Sequence, residues 1–222
     1  MPYFDQELAA LKDKLLTMAS YAEDSVRNAV KALTARDYDL ALRVRSEDEV
    51  IDRFELEVDE LAINLLAKAP LASDLRLIAV AMKISQNLER VGDEATKIAN
   101  RARDLSQEPP LKLIVDINPM VHLALQMLKD ALDAFVNQAP AAARALIPQD
   151  KEVDSLNKQI QHRLAGHMIE NPDTVTRCLN LMVVSKSLER IADHAKNIAE
   201  EVVYICEAQD IRHAPGGRAV GM

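Results

Sequence analysis

Four pairs of carboxylates recur through the chain, each pair spaced four residues apart: Asp48 with Asp52, Glu89 with Asp93, Asp150 with Asp154, and Glu189 with Asp193. On a helix this spacing puts both side chains on one face, where like charges repel by about 0.2–0.5 kcal/mol. Carboxylates gathered with little compensating positive charge suit hard or borderline cations. Mg and Mn take oxygen ligands, while Fe and Zn accept oxygen together with imidazole. His194, next to Asp193, is a possible additional ligand, although Glu94 stands at the corresponding place in the first half.

Position matters more than number here. The sequence holds six acidic pairs at this spacing, and about that many arise by chance in a chain this acidic if it is helical. Four of the six occupy matching places in an internal repeat, because "NLERVGDEATKIA" (87–99) returns as "SLERIADHAKNIA" (187–199). Setting Asp48 on Asp150, an offset of 102, aligns "DEVIDRFELEV" with "DKEVDSLNKQI" and "VRNAVKAL" with "LKDALDAF". After Pro70 and Pro172 the offset becomes 100, so the second loop is two residues shorter. The other two pairs, Glu55 with Asp59 and Asp104 with Glu108, have Asn157 with Gln161 and Tyr204 with Ala208 as counterparts.

Each half reads as three helices. In the third, Leu77, Ala81, Ile84, Leu88, Val91 and Ala95 alternate spacings of four and three, the seam of a helix packed in a bundle. Leu181, Val184, Leu188, Ile191, Ala195 and Ile198 repeat it, and Ile51, Phe54, Val58, Leu61 and Leu65 form a similar line on the second helix. Pro70 and Pro172 are expected to stop their helices, since proline lacks an N–H and clashes with the preceding turn. The expected fold is all-α: two tandem, pseudo-symmetric three-helix bundles with six helices. The first spans residues 1–106, a proline-bearing linker 107–120, the second bundle 121–210, and a flexible tail 211–222.

At 100° per residue, Glu89 and Asp93 lie well away from the seam and face outward; Asp52 does the same on its helix, and Asp48 sits nearer the shoulder. Antiparallel packing of the second and third helices would bring four carboxylates to one surface groove. Two readings fit the residues alone, a metal site and a solvated acidic face that keeps the bundle soluble. Arg90 and Arg190 offer cations to neighbouring helices, and Lys97 stands four residues after Asp93, but Asn197 follows Asp193 at that distance. Gly92, costly inside a helix, and Ala192 at its equivalent suit close approach of a neighbour.

Several function classes are set aside by what is missing. The sequence contains no HExxH, CxxC, GxGxxG or P-loop, and no Glu-x-x-His of an inward-facing di-iron bundle. A net charge of −8 argues against nucleic acid. No run of 18 apolar residues and no signal-like N-terminus is present, so the expected location is cytoplasmic. Cys178 and Cys206, roughly 42 Å apart along one helix, cannot bridge each other and are expected to be buried.

The doubled "LERVGDEATKIA" and "LERIADHAKNIAE", with "DEVID", "DKEVD" and "APLASDLRLIAVAMKISQNLER", resemble the PhoU family of phosphate-specific transport accessory proteins from about Leu8 to Cys206. The resemblance implies paired three-helix bundles whose E(D)xxxD motifs hold multinuclear metal clusters, here at Asp48, Asp52, Glu89 and Asp93 and at Asp150, Asp154, Glu189 and Asp193. Ala192 departs from the glycine usual in the motif, and the LASDLR portion has no second copy. The resemblance also implies a homodimeric negative regulator with no catalytic reaction. It would link a phosphate ABC transporter, through a PstB-like ATPase, to a PhoR-like sensor histidine kinase, and meet the membrane only through these partners. The rival classes are a metal-dependent di-iron-type enzyme and a metal-free helical scaffold.

Overall fold

Seven α-helices account for nearly all of the described residues, which in this computed structural model are 2–69, 71–113 and 115–212, with side chains from Phe4 onward. Pro70, most of the expected tail (213–222) and Ile114 lie outside them. In the first half, α1 is Pro2–Ala35, α2 is Tyr38–Leu66 and α3 is Ala72–Ser106. In the second half, α4 is Asn118–Val136, α5 is Pro140–Leu146, α6 is Asp150–Glu170 and α7 is Val175–Glu207.

The repeat is visible in its turns. Helix α1 ends with Arg36 at φ 55° and α4 ends with Gln138 at φ 48°, equivalent positions in the left-handed region that glycine usually fills. In both turns the next residue's N–H reaches back five residues: Asp37 donates to Ala32 and Ala139 to Ala134, each at 2.9 Å. Asp37 then caps α2, its Oδ1 accepting from the Leu40 N–H at 2.9 Å. The Arg36 guanidinium also donates to the carbonyl of Leu105 at 2.6 Å, adding to the long 3.3 Å backbone bond that this carbonyl accepts from Glu108 at the end of α3.

The six-helix plan holds with one interruption. By the repeat offset α2 should be matched by a single helix over 140–168; instead α5 and α6 are separated by a 3-10 turn, Ile147–Gln149. Pro148 stands where Ser46 does in α2. It removes one N–H from the helical ladder and crowds the preceding turn, and the chain tightens to pass it. As a result Asp150 opens α6, whereas Asp48 lies within continuous α2. The expected linker prolines also divide: Pro109 and Pro110 lie in the connector, while Pro119 sits in the first turn of α4, where a missing N–H costs little.

Helices α1 and α2 pack on α3; α4, α5 and α6 pack on α7; and α3 packs on α7. The seam residues Leu77, Ala81, Ile84, Leu88, Val91 and Ala95 are all buried, and the core runs without a break through both halves. Polar pairs fix the α3–α7 contact. Lys83 meets Glu201 at 3.1 Å, Asn87 meets His194 at 3.0 Å, Glu94 meets Arg190 at 3.4 Å and Arg101 meets Asn180 at 3.4 Å. Residue numbers rise on one helix as they fall on the other, so the two are antiparallel, with a pseudo-twofold centre near Val91 and Ile191. Among the described residues, no helix is long and apolar enough to cross a membrane.

Candidate functional site

In the first half, α3 approaches α2 closely because position 92 is glycine. A Cβ added there would lie 2.8 Å from Ile51 Cδ1 and 3.1 Å from Asp48 Oδ1. The close approach tucks the Asp48 carboxylate against α3, half-buried, while Asp52 and Asp93 are exposed and Glu89 is half-buried. Burial raises the Asp48 pKa, as do Asp52 and Asp93, with the neighbouring Thr96 hydroxyl pulling it down. That hydroxyl is buried and lacks a hydrogen bond of ordinary geometry. Glu89 is pushed up to about 7, first by burial and then by the charges of Asp93, Glu55 and Asp52, against a small opposing effect of Arg90.

Glu55 thus belongs to the same electrostatic group, although its pair with Asp59 has no counterpart in the repeat. Its own pKa is raised by burial, Asp59 and Asp52. Its spacing gave a signal, three residues after Asp52 and on the same helix face. Among the described residues, none of Asp48, Asp52, Glu55, Glu89 and Asp93 forms an ion pair with Lys, Arg or His. Lys97, four residues after Asp93, turns the other way and bonds the buried Glu94 at 2.9 Å.

The second half keeps the acids but answers them differently. Lys196 on α7 donates to Asp150 Oδ2 of α6 at 2.9 Å and to Asp193 Oδ1 at 3.0 Å, spanning the groove between the helices. Lys186 pairs with Glu189 at 2.5 Å. The corresponding first-half residues are Thr96 and Gln86, neither of them charged. Burial lowers the Lys196 pKa, but its bonds to Asp150 and Asp193 outweigh this and hold the ammonium well above its ordinary value. Glu200 adjoins the same group: burial raises its pKa, Lys196 lowers it and Asp193 raises it. Asp154 is half-buried and forms no ion pair among the described residues.

His194, a possible metal ligand by sequence, lies at the junction of the halves with its Nδ1 3.0 Å from Asn87 Oδ1. Burial lowers its pKa, against the nearby Asp193. Of the two cysteines, Cys178 is buried as expected but Cys206 is exposed, because the last turn of α7 runs past the end of the core.

Among the described residues, no three His, Cys, Asp or Glu side chains are drawn together tightly enough to hold a metal ion. The first cluster nevertheless has the chemistry for one. It offers oxygen donors from two helices, no cation paired with them among the described residues, a Thr96 hydroxyl beside Asp48, and a close approach of α3 to Asp48 that a side chain at Gly92 would obstruct. The second cluster presents the same donors with two of them already held by one ammonium.

A family model described as PhoU domain matches the chain twice, over residues 15–102 and 117–202. A phosphate-specific transport system accessory protein PhoU homolog from Pseudomonas putida is 40% identical over 212 residues, covering 95% of this chain and 83% of the relative. The Escherichia coli (strain K12) phosphate-specific transport system accessory protein PhoU is 34% identical over 214 residues, covering 96% and 89%. The crystal structure of PhoU from Pseudomonas aeruginosa superposes with a TM-score of 0.89 at 38% identity, covering 93% of this chain and 100% of that one. The phosphate transport system regulatory protein PhoU from Streptococcus pneumoniae gives a TM-score of 0.86 at 25% identity, covering 94% and 99%.

Proposed function

The chain belongs to the PhoU family, and from that premise we propose that it regulates phosphate transport as an accessory protein, restraining uptake and the phosphate-starvation response when phosphate is plentiful. The observation that carries this reading is the paired PhoU-domain match, which spans both halves, together with near full-length relatives named as accessory proteins of phosphate-specific transport. The finer reading is a link between a phosphate ABC transporter, through its PstB-like ATPase, and a PhoR-like sensor histidine kinase. On this reading the chain is a cytoplasmic homodimer with no reaction of its own, reaching the membrane only through those partners.

Metal binding forms part of the same reading. Asp48, Asp52, Glu89 and Asp93 would hold a divalent or trivalent ion such as Mn, Fe, Zn or Mg, with Glu55 contributing charge beside them. A bound ion would supply positive charge between α2 and α3, where Arg90 opposes the acids only weakly and, among the described residues, no cation pairs with them. The carboxylates orient it, and Gly92 lets the two helices approach closely enough for Asp48 to take part. Asp48 and Asp52 lie on one helix and Glu89 and Asp93 on the other, so the ion would tie the two faces together and fix the surface they present to a partner.

Deletion of the gene in its own host, with a reporter for phosphate-starvation genes, tests the regulatory reading. Expression at high phosphate is the expected result, reversed by the wild-type gene. A reporter that stays silent in a strain free of paralogues overturns it. Light scattering checks the homodimer, and a monomer at every concentration with and without metal removes it.

A further inference from the structure

We propose that Lys196 is the resident cation of the second carboxylate cluster, so that the two halves have diverged: the first set takes an external divalent metal and the second is closed by an ammonium of the chain itself. This rests on the metal reading of the first cluster for its first half only. The assignment of Lys196 stands on the geometry of the second.

Lys196 Nζ lies 2.9 Å from Asp150 and 3.0 Å from Asp193. These are the repeat equivalents of Asp48 and Asp93, one from each helix of the groove, and a metal bridging α6 and α7 would need both. The ammonium therefore stands between the donors that a bridging ion would use. Lys186 pairs with Glu189, the equivalent of Glu89. At the matching positions of the first half stand Thr96, whose hydroxyl is too short and uncharged to serve, and Gln86.

The competition between ammonium and metal is unequal. A tethered group acts as an intramolecular ligand at an effective concentration in the millimolar range or above. An incoming ion must also expel an ammonium that already makes two charge-assisted hydrogen bonds. Lys196 is held on a helix and partly buried, with a side-chain exposure of 26%, and Asp150 is more deeply buried at 13%. The two halves carry matching sets of acids, and lysine in place of Thr96 and Gln86 gives the second set cations of its own.

The test uses the whole chain, stripped with chelator, in six forms: wild type, Glu89→Gln/Asp93→Asn, Asp150→Asn/Asp193→Asn, Lys196→Thr, Lys196→Met, and Lys196→Met combined with Asp150→Asn/Asp193→Asn. Mn(II) alone is the metal probe, read by elemental analysis after gel filtration. Melting temperatures are read in chelator. Wild type should retain manganese, the first double variant should fall to background, and the second double variant should stay at the wild-type level. Lys196→Thr should add roughly as much manganese as the first double variant loses. In chelator, Lys196→Met, which keeps the apolar stem, should melt below wild type, and adding Asp150→Asn/Asp193→Asn should recover most of that loss.

Two results overturn the proposal. One is manganese lost to the same extent from both double variants, since the lysine would then yield to metal. The other is a Lys196→Met loss unaffected by neutralising the two aspartates. A different pattern condemns only the metal reading: no manganese on wild type or Lys196→Thr, with the thermal recovery intact, upholds Lys196 as the internal cation and removes metal from both clusters.

Discussion

The groove between α2 and α3 and the groove between α6 and α7 descend from one sequence and carry the same four acids, yet they are electrostatically unlike. In the first, five carboxylates face one another with no ion pair among the described residues, and Glu89 is pushed up to about 7. In the second, Lys196 bonds one acid from each helix and Lys186 pairs with a third. Charge that a fold gathers must be answered by protonation, by an external ion or by a lysine. The first groove leaves the first two routes open, and the second uses the third.

Metal should separate the grooves most sharply. At Mn(II) about 100-fold above its dissociation constant, binding to the folded state alone stabilises by about 2.7 kcal/mol. That gain should be present in wild type and in Asp150→Asn/Asp193→Asn, and absent in Glu89→Gln/Asp93→Asn, as read by urea unfolding with and without the ion. Equal gains in all three would erase the distinction between the grooves.

Removing Lys196 comes next. Exposed pairs contribute about 0–1 kcal/mol and breaking a buried pair costs about 3–5 kcal/mol. Lys196 is partly buried and shared between two acids, so Lys196→Met should cost about 1–2 kcal/mol in chelator. Thr96→Lys, which carries the second groove's answer into the first, should stabilise the metal-free protein and abolish its response to Mn(II). Denaturation midpoints of the two variants, measured side by side, check both directions.

A smaller effect is expected from pH. The folded pKa of Glu89 lies above its ordinary value of 4.5, so folding favours the protonated form. Its contribution is therefore complete below about 4.5 and is lost as pH rises through about 7. Solvent screening at this partly exposed group reduces the effect to about 1 kcal/mol. Urea midpoints in chelator should fall more steeply across this window in wild type than in Glu89→Gln. Parallel curves for the two proteins would show that Glu89 ionises without strain.

The smallest expected change comes from Glu55→Gln, which removes one like charge whose counterpart, Asn157, is already neutral. It should stabilise the metal-free chain by about 0.2–0.5 kcal/mol. It should also lower the Glu89 pKa, which a carbon-13 NMR titration of the labelled glutamate carboxyls would detect.

The helices, their order and the apolar seams followed from the sequence alone, since heptad-like spacing reports which side of a helix is buried without reference to any neighbour. The outward aim of Asp52 and Asp93 and the shoulder position of Asp48 came from the same angular count, and the repeat itself identified which acidic pairs were retained. Relations between helices were different. That Lys196 reaches Asp150, that Lys97 serves Glu94 rather than Asp93, and that Glu55 joins Glu89 depend on the rotation and separation of two packed helices, which a one-dimensional period does not encode. Gly92 by its type permits close approach, but only the packed structure identifies Ile51 and Asp48 as what approaches. Pro148 was present in the sequence, yet its repeat position within the equivalent of α2 becomes telling only once α2 is seen to run unbroken past Ser46. Equal acids at equal spacing were a property of the chain; their different cations arise because a long-range Coulombic contact is set by a distance of a few ångströms between segments far apart in sequence.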